Sequence, residues 1–172
     1  MGQIFFYNFK GIKKGITVGI ASNGKAITGV FFARHFRALS QVQLPQKIGI
    51  IDDFSEVETP LIKKAAAQIE EYLAGTRKQF SLPLAMHGTE FQMAVWQALQ
   101  RIPYGETRSY KEIAVMIGKP QAARAVGMAN NRNPISIIVP CHRVIGHDGS
   151  LVGYGSGIPL KKFFLELEHV PL

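Results

Sequence analysis

The hydrophobic pattern changes character near the middle of the chain. In the first 33 residues the apolar positions fall in short aromatic and β-branched runs, Ile4-Phe5-Phe6-Tyr7, then residues 15–20, then residues 26–32. Such runs read as strands. Gly11-Ile12-Lys13-Lys14 separates the first two, and Ser22-Asn23-Gly24 is a hairpin turn signal between the second and third. A small antiparallel meander is predicted. From Thr59 to Leu73 the spacing becomes helical, with Leu61, Ile62, Ala65, Ala66, Ile69 and Leu73 on one side, Pro60 in the first turn and Gly75 just past the end. One helix should therefore cover the sheet, and Phe80-Ser81-Leu82-Pro83-Leu84 reads as a last strand or a linker.

Beyond Gly88 the pattern is that of short capped helices. Thr89-Glu90-Phe91-Gln92 forms a capping box opening a helix to about Arg101, whose stripe of Phe91, Val95, Trp96 and Leu99 places the lone Trp in a core. Ser109-Tyr110-Lys111-Glu112 is a second capping box, for a helix ending at Gly118, and Lys119-Pro120-Gln121 is expected to start another. Two short helices joined by a tight glycine turn predict a helix-turn-helix. Residues 130–134 then read as a turn, and residues 135–139 as a buried extended run. The fold class is α+β, with domains at 1–85 and 86–172.

Charge narrows the choice of partner. The chain of 172 residues carries a net charge of +8, and between Arg101 and Arg143 seven basic residues face two acidic ones, Glu106 and Glu112. That favours a polyanion, nucleic acid ahead of a membrane surface, although a solvated basic face remains an alternative. No stretch approaches the roughly 18 to 20 uninterrupted apolar residues of a membrane span, and no signal peptide is evident. A cytoplasmic protein is expected. The predicted second helix of the pair, Gln121-Ala122-Ala123-Arg124-Ala125-Val126-Gly127-Met128-Ala129, surrounds one long cation with small residues. Either it packs closely on another helix, or it approaches a DNA groove with Arg124 projecting while Lys119 and the first amides meet phosphates.

Cys141 is the only cysteine and lies in Pro140-Cys141-His142-Arg143-Val144. Alone it could be an inert core thiol. An adjacent imidazole and guanidinium are two local reasons for a reactive thiolate.

This pentapeptide, preceded by Arg124-Ala125-Val126-Gly127 and Asn133-Pro134, resembles the O6-alkylguanine-DNA alkyltransferase family. The resemblance extends over residues 83–168, through Gly88-Thr89-Glu90-Phe91-Gln92, Val95-Trp96, Ile102-Pro103-Tyr104-Gly105-Glu106-Thr107, Ser109-Tyr110, Gly153-Tyr154, and Lys161 to Glu168. It implies an RNase H-like first domain and a winged helix-turn-helix second domain. It also implies that Cys141 takes the alkyl group from O6 of guanine, and less readily from O4 of thymine, in duplex DNA. The transfer is irreversible and each molecule acts once. Glu168 would polarise His142, His142 would accept the thiol proton through a water, and Asn133 would fix the turn. Read without the resemblance, Glu168 is a surface helix residue. Tyr110 and Arg124 match the positions that press on the target phosphate and fill the space of a flipped base, and Ala125 and Gly127 those that allow close approach to the minor groove. Lys119 and Lys161 join them as DNA or substrate contacts. Tyr154, in its glycine-rich loop, matches the pocket that stabilises the departing oxygen.

Ser156, Pro159 and Ala85 depart from the family pattern. Some relatives bind zinc through N-terminal cysteines, which this chain lacks, so neither metal nor cofactor is expected. The protein should act as a monomer on double-stranded DNA carrying O6-alkylguanine, with cooperativity left open, and it would be nucleoid-associated in a prokaryote. Three other readings compete. A lesion-binding protein that recruits repair factors would lack the reactive cysteine. A sequence-specific regulator would carry base-reading side chains where this helix has Ala. A cysteine hydrolase needs a dyad that adjacent residues rarely form.

Overall fold

Thr59 caps the first helix by accepting a hydrogen bond at Oγ1 from Ile62 N at 3.3 Å, and Pro60 occupies the first helical position, where no amide is needed. The computed structural model describes residues 2–9, 12, 16–34 and 54–172. It divides into two compact units, Met1–Met86 and His87–Leu172.

In the first unit, β1 (Gly2–Tyr7), β2 (Ile16–Ser22) and β3 (Ile27–Arg34) form the expected meander, and α1 (Pro60–Leu73) packs on all three strands. Asn23 Oδ1 closes the β2–β3 turn by accepting from Lys25 N and Ala26 N, while Gly24 supplies the positive φ of +85°. Gly19 is obligatory for another reason: a Cβ there would lie 2.3 Å from the ring of Phe31, its cross-strand partner.

The expectation of a purely antiparallel sheet is corrected by β4 (Phe54–Glu56), which pairs in parallel with β1 and makes the order β3-β2-β1-β4. Three residues are too few to show an alternation in sequence. The segment 80–84 is not a full strand. Leu84 makes one bridge with Ile27, flanked by bonds from Ile27 N to Pro83 O and from Ala85 N to Ile27 O. Pro83 has no amide with which to extend the ladder. Gln68, on α1, holds this segment by exchanging hydrogen bonds with Ser81.

In the second unit both capping boxes form as read, Thr89 with Gln92 at the start of α2 (Glu90–Leu99) and Ser109 with Glu112 at the start of α3 (Tyr110–Met116). Trp96 is buried and donates to Ala129 O at 2.9 Å, joining α2 to α4 (Ala123–Asn131). Three boundaries differ from expectation. α2 stops at Leu99, and α3 at Met116 ahead of Gly118 with φ +70°. α4 begins at Ala123, not at Lys119-Pro120, because residues 119–122 close a turn through Ala122 N to Lys119 O and the residue before proline is pushed out of the α region.

α4 also runs through Asn130 and Asn131, which the sequence places in a turn. Asn130 Nδ2 donates to Cys141 O at 3.2 Å, so its side chain has a buried partner and does not compete for the helix backbone. Residues 135–139 are buried but not extended. They form successive turns, with Ile137 at φ 69° and Val139 N bonded to Ile135 O. Cys141–Arg143 is one 3-10 turn, and β5 (Arg108–Ser109) pairs in parallel with β6 (Val144–Ile145) beside it. α5 (Ile158–Leu167) follows Gly157, whose φ is +93°, and ends at Glu168. Among the described residues no helix is long and apolar enough to cross a membrane.

Candidate active site

The 3-10 turn carries Cys141, His142 and Arg143 into the interior together, with Cys141 3% exposed and His142 fully buried. Asn133 stabilises the turns leading to it, accepting from Ile135 N at 3.0 Å and donating Nδ2 to Val139 O at 2.8 Å. With Asn130 on the Cys141 carbonyl, two amides hold the backbone on both sides of Pro140.

Glu168 is the centre of a buried polar cluster. His142 Nε2 lies 2.9 Å from its Oε1, and since an ionised carboxylate only accepts, Nε2 carries the proton and Nδ1 the basic lone pair. Arg143 donates Nε to Oε2 at 2.8 Å and Nη2 to Oε1 at 2.9 Å, and Gly105 N adds a third donor group at 3.2 Å. Burial works to raise the Glu168 pKa, but the hydrogen bonds from His142 and Arg143 outweigh it and hold the carboxyl well below its ordinary range. Burial, in turn, holds His142 below its ordinary 6.5 against the opposing pull of Glu168. The imidazole is therefore a neutral base at physiological pH.

A second cluster fixes the glycine-rich loop. Lys161, on α5, is fully buried and donates Nζ to Val144 O and to Val152 O. Burial lowers its pKa to about 8, an effect that the Cys141 sulfur opposes when it is ionised. Tyr110 donates its hydroxyl to Val152 O at 2.9 Å and Gly153 O at 3.2 Å, under Lys161 Nζ at 5.8 Å from its ring centre. Burial first, and Cys141 second, push the Tyr110 phenol up to about 12. Tyr154 is buried, and burial first, then interaction with the Cys141 sulfur, keeps its phenol protonated well above 10. A protonated hydroxyl thus stands beside the sulfur.

The remaining sequence-identified residues lie on or near α4. Arg124 is exposed, and Lys119 is exposed with Nζ 5.7 Å from the Phe91 ring centre. Ala125 and Gly127 are half-buried. A Cβ at Gly127 would make only ordinary contact with the Tyr110 ring at 3.7 Å, so packing does not demand glycine there. The structure thus brings Cys141, His142, Glu168, Asn133, Tyr154, Lys161 and Tyr110 together inside the unit and leaves Arg124 and Lys119 outside. Lys161 is not placed to meet a phosphate from the surface. Sequence reasoning missed Gly105, Ile102, Asn130 and the buried role of Arg143; for Arg143 its adjacency to the thiol was the only signal.

Both halves of the chain match known proteins. Residues 90–170 match the family model for the 6-O-methylguanine DNA methyltransferase DNA binding domain, and residues 17–86 match its ribonuclease-like domain. The methylated-DNA–protein-cysteine methyltransferase of Methanosarcina barkeri is 64% identical over 106 residues, 62% of this chain and 67% of that protein. That of Mycobacterium leprae is 48% identical over 149 residues, 87% of this chain and 84% of that one. The crystal structure of Mycobacterium tuberculosis OGT in complex with DNA superposes with a TM-score of 0.78 at 42% identity, covering 98% of this chain and 95% of that one. With both domain models matched in order along one chain, this protein belongs to the 6-O-methylguanine DNA methyltransferase family.

Proposed function

We propose that Cys141 is the alkyl acceptor of this protein and takes the group from O6 of guanine in duplex DNA, once per molecule. DNA repair by alkyl transfer is the activity of the protein as a methylated-DNA–protein-cysteine methyltransferase, and DNA is its partner. The finer reading is carried by one observation: the only sulfhydryl in the chain lies in the same 3-10 turn as a neutral, carboxylate-bound imidazole, immediately before it, and shares its burial.

In this reading His142 takes the thiol proton, and the thiolate attacks the alkyl carbon as the C–O6 bond breaks. The electron pair stays on the guanine oxygen, where the protonated Tyr154 hydroxyl can donate a hydrogen bond. The thioether product has no good leaving group, so the sulfur is consumed. A buried thiol cannot reach a stacked base, so the nucleotide must leave the duplex. Arg124, on the small-residue face of α4 with Ala125 and Gly127, fills the vacated stack from the minor groove, Lys119 meets a phosphate, and Tyr110 faces the target phosphate. Lys161 acts from inside by holding the pocket loop. A monomer in the cytoplasm fits a reaction needing one chain and reduced thiol.

Incubation with an oligonucleotide bearing radiolabelled O6-methylguanine should transfer at most one label per chain, recovered on the Cys141 peptide; continued turnover sinks the proposal. A second expectation separates flipping from chemistry. Arg124→Ala should slow repair in duplex DNA about 100-fold, since unstacking a base costs a few kcal/mol, while reaction with free O6-benzylguanine is little changed. Equal losses on both substrates would remove Arg124 from the flipping step.

A further inference from the structure

We propose that Arg143 is a positioning residue of the transfer site: its guanidinium grips both oxygens of Glu168 and so works with burial to leave His142 an uncharged base in the resting protein. This rests on the alkyl-transfer reading of Cys141 and deepens it. A lone carboxylate 2.9 Å from a buried imidazole would draw it into the charged form, and an imidazolium cannot accept a thiol proton. Burial is the larger force against that pull, and Arg143 offsets a further part of it without removing the hydrogen bond. Its Nε and Nη2 occupy one oxygen each, at 2.8 and 2.9 Å, while Nη1 donates to Ile102 O at 2.7 Å. The guanidinium also lies 5.8 Å from the centre of the Tyr104 ring. Tyr104 is itself fixed by its hydroxyl on Leu167 O at 3.0 Å. These contacts tie the guanidinium to Glu168, to the Ile102 carbonyl and to the Tyr104 ring at once, so that it orients the carboxylate toward His142.

The charges around His142 come from several elements. Glu168 and Lys161 face it from α5 and its end, Arg143 from its own turn, and Cys141 precedes it, with the Phe164 ring 5.3 Å away. Burial disfavours the imidazolium, Glu168 favours it, and Arg143 and Lys161 disfavour it. The quartet of thiol, imidazole, carboxylate and guanidinium is neutral before proton transfer and neutral after it, as thiolate and imidazolium. The proton moves within the site, and no net charge is created in a buried space. After attack the sulfur holds the alkyl carbon, the guanine oxygen holds the electron pair of the broken bond, and the imidazolium proton neutralises the base.

The test is an NMR titration of the His142 imidazole in the full chain, joined to the pH profile of single-turnover transfer from free O6-benzylguanine. In Arg143→Gln the His142 midpoint should rise by about one to two pH units, the shift expected when a carboxylate is left uncompensated, and the acid limb of the rate should rise with it. Arg143→Lys, which keeps the charge, should bring both back toward wild type. An unchanged midpoint in folded Arg143→Gln overturns the inference. If that variant does not fold, wild type and Arg143→Lys decide: a midpoint at or above the ordinary 6.5 in wild type, or one rising to it in Arg143→Lys, overturns it as well. The titration needs no alkyl transfer. Failure of labelled DNA to modify Cys141 in wild type would therefore refute the acceptor reading and leave the Arg143 result standing on its own.

Discussion

Cys141→Ser is expected to abolish alkyl transfer while leaving the protein folded and able to bind DNA. The loss should be a factor of roughly 10⁴ or more, the order seen when an enzyme's nucleophile is removed. The reason lies in acidity. A neutral imidazole can share the proton of a thiol but hardly that of a hydroxyl, and the serine oxygen is a poor nucleophile unless it is deprotonated. Shape changes little, since oxygen replaces sulfur in a site that is 3% exposed, and the cost of the new buried hydroxyl is about 1–2 kcal/mol where it finds a partner. Single-turnover label transfer alongside a DNA-binding titration measures the two properties separately. Transfer persisting at a comparable rate would place the acceptor elsewhere in the chain.

Glu168→Gln should damage both stability and rate. The carboxylate receives Arg143 through two nitrogens, His142 through one and the Gly105 amide. Glutamine offers one acceptor oxygen and turns an NH₂ toward these donors, leaving the Arg143 cation buried and unpaired. Breaking a buried pair in this way costs about 3–5 kcal/mol. Loss of the group orienting the base should slow transfer by about 10²–10³-fold.

The pH dependence has a definite sign. The folded pKa of Glu168 lies below its ordinary 4.5, so its contribution to stability is present above pH 4.5 and is lost as pH falls from there toward the folded value. Thermal unfolding followed from pH 7 to pH 3 should therefore show a steeper acid decline in wild type than in Glu168→Gln. Parallel curves would mean that the carboxylate is not held by these partners.

The second prediction shows where the site was readable and where it was not. Thr89 with Gln92 and Ser109 with Glu112 were legible because a capping box is satisfied within one turn of chain, so its chemistry is written in adjacent residues. Cys141 and His142 were legible as neighbours. The carboxylate was not, for it stands 26 residues from His142 and only the family resemblance pointed to it. Arg143 looked like part of a basic surface because its partners, Glu168 and the Ile102 carbonyl, are 25 and 41 residues distant. The burial of Lys161 was not legible either. A fully buried ammonium violates the usual location of lysine, and only two carbonyls brought together from β6 and the glycine-rich loop make that burial tolerable.

The sequence by itself determined the meander, the capped helices, the helix-turn-helix and the single sulfhydryl beside an imidazole, because each depends on hydrophobic period, turn residues or side chains within a few positions. Tertiary structure decided the parallel β4, the turns at 135–139 and the polar interior. A three-residue strand has no period of its own, and Ile137 adopts φ 69° although an isoleucine seldom does. Whether an Arg or Lys lies outside in water or inside against a carboxylate depends on partners far along the chain, and those meet only when the fold closes.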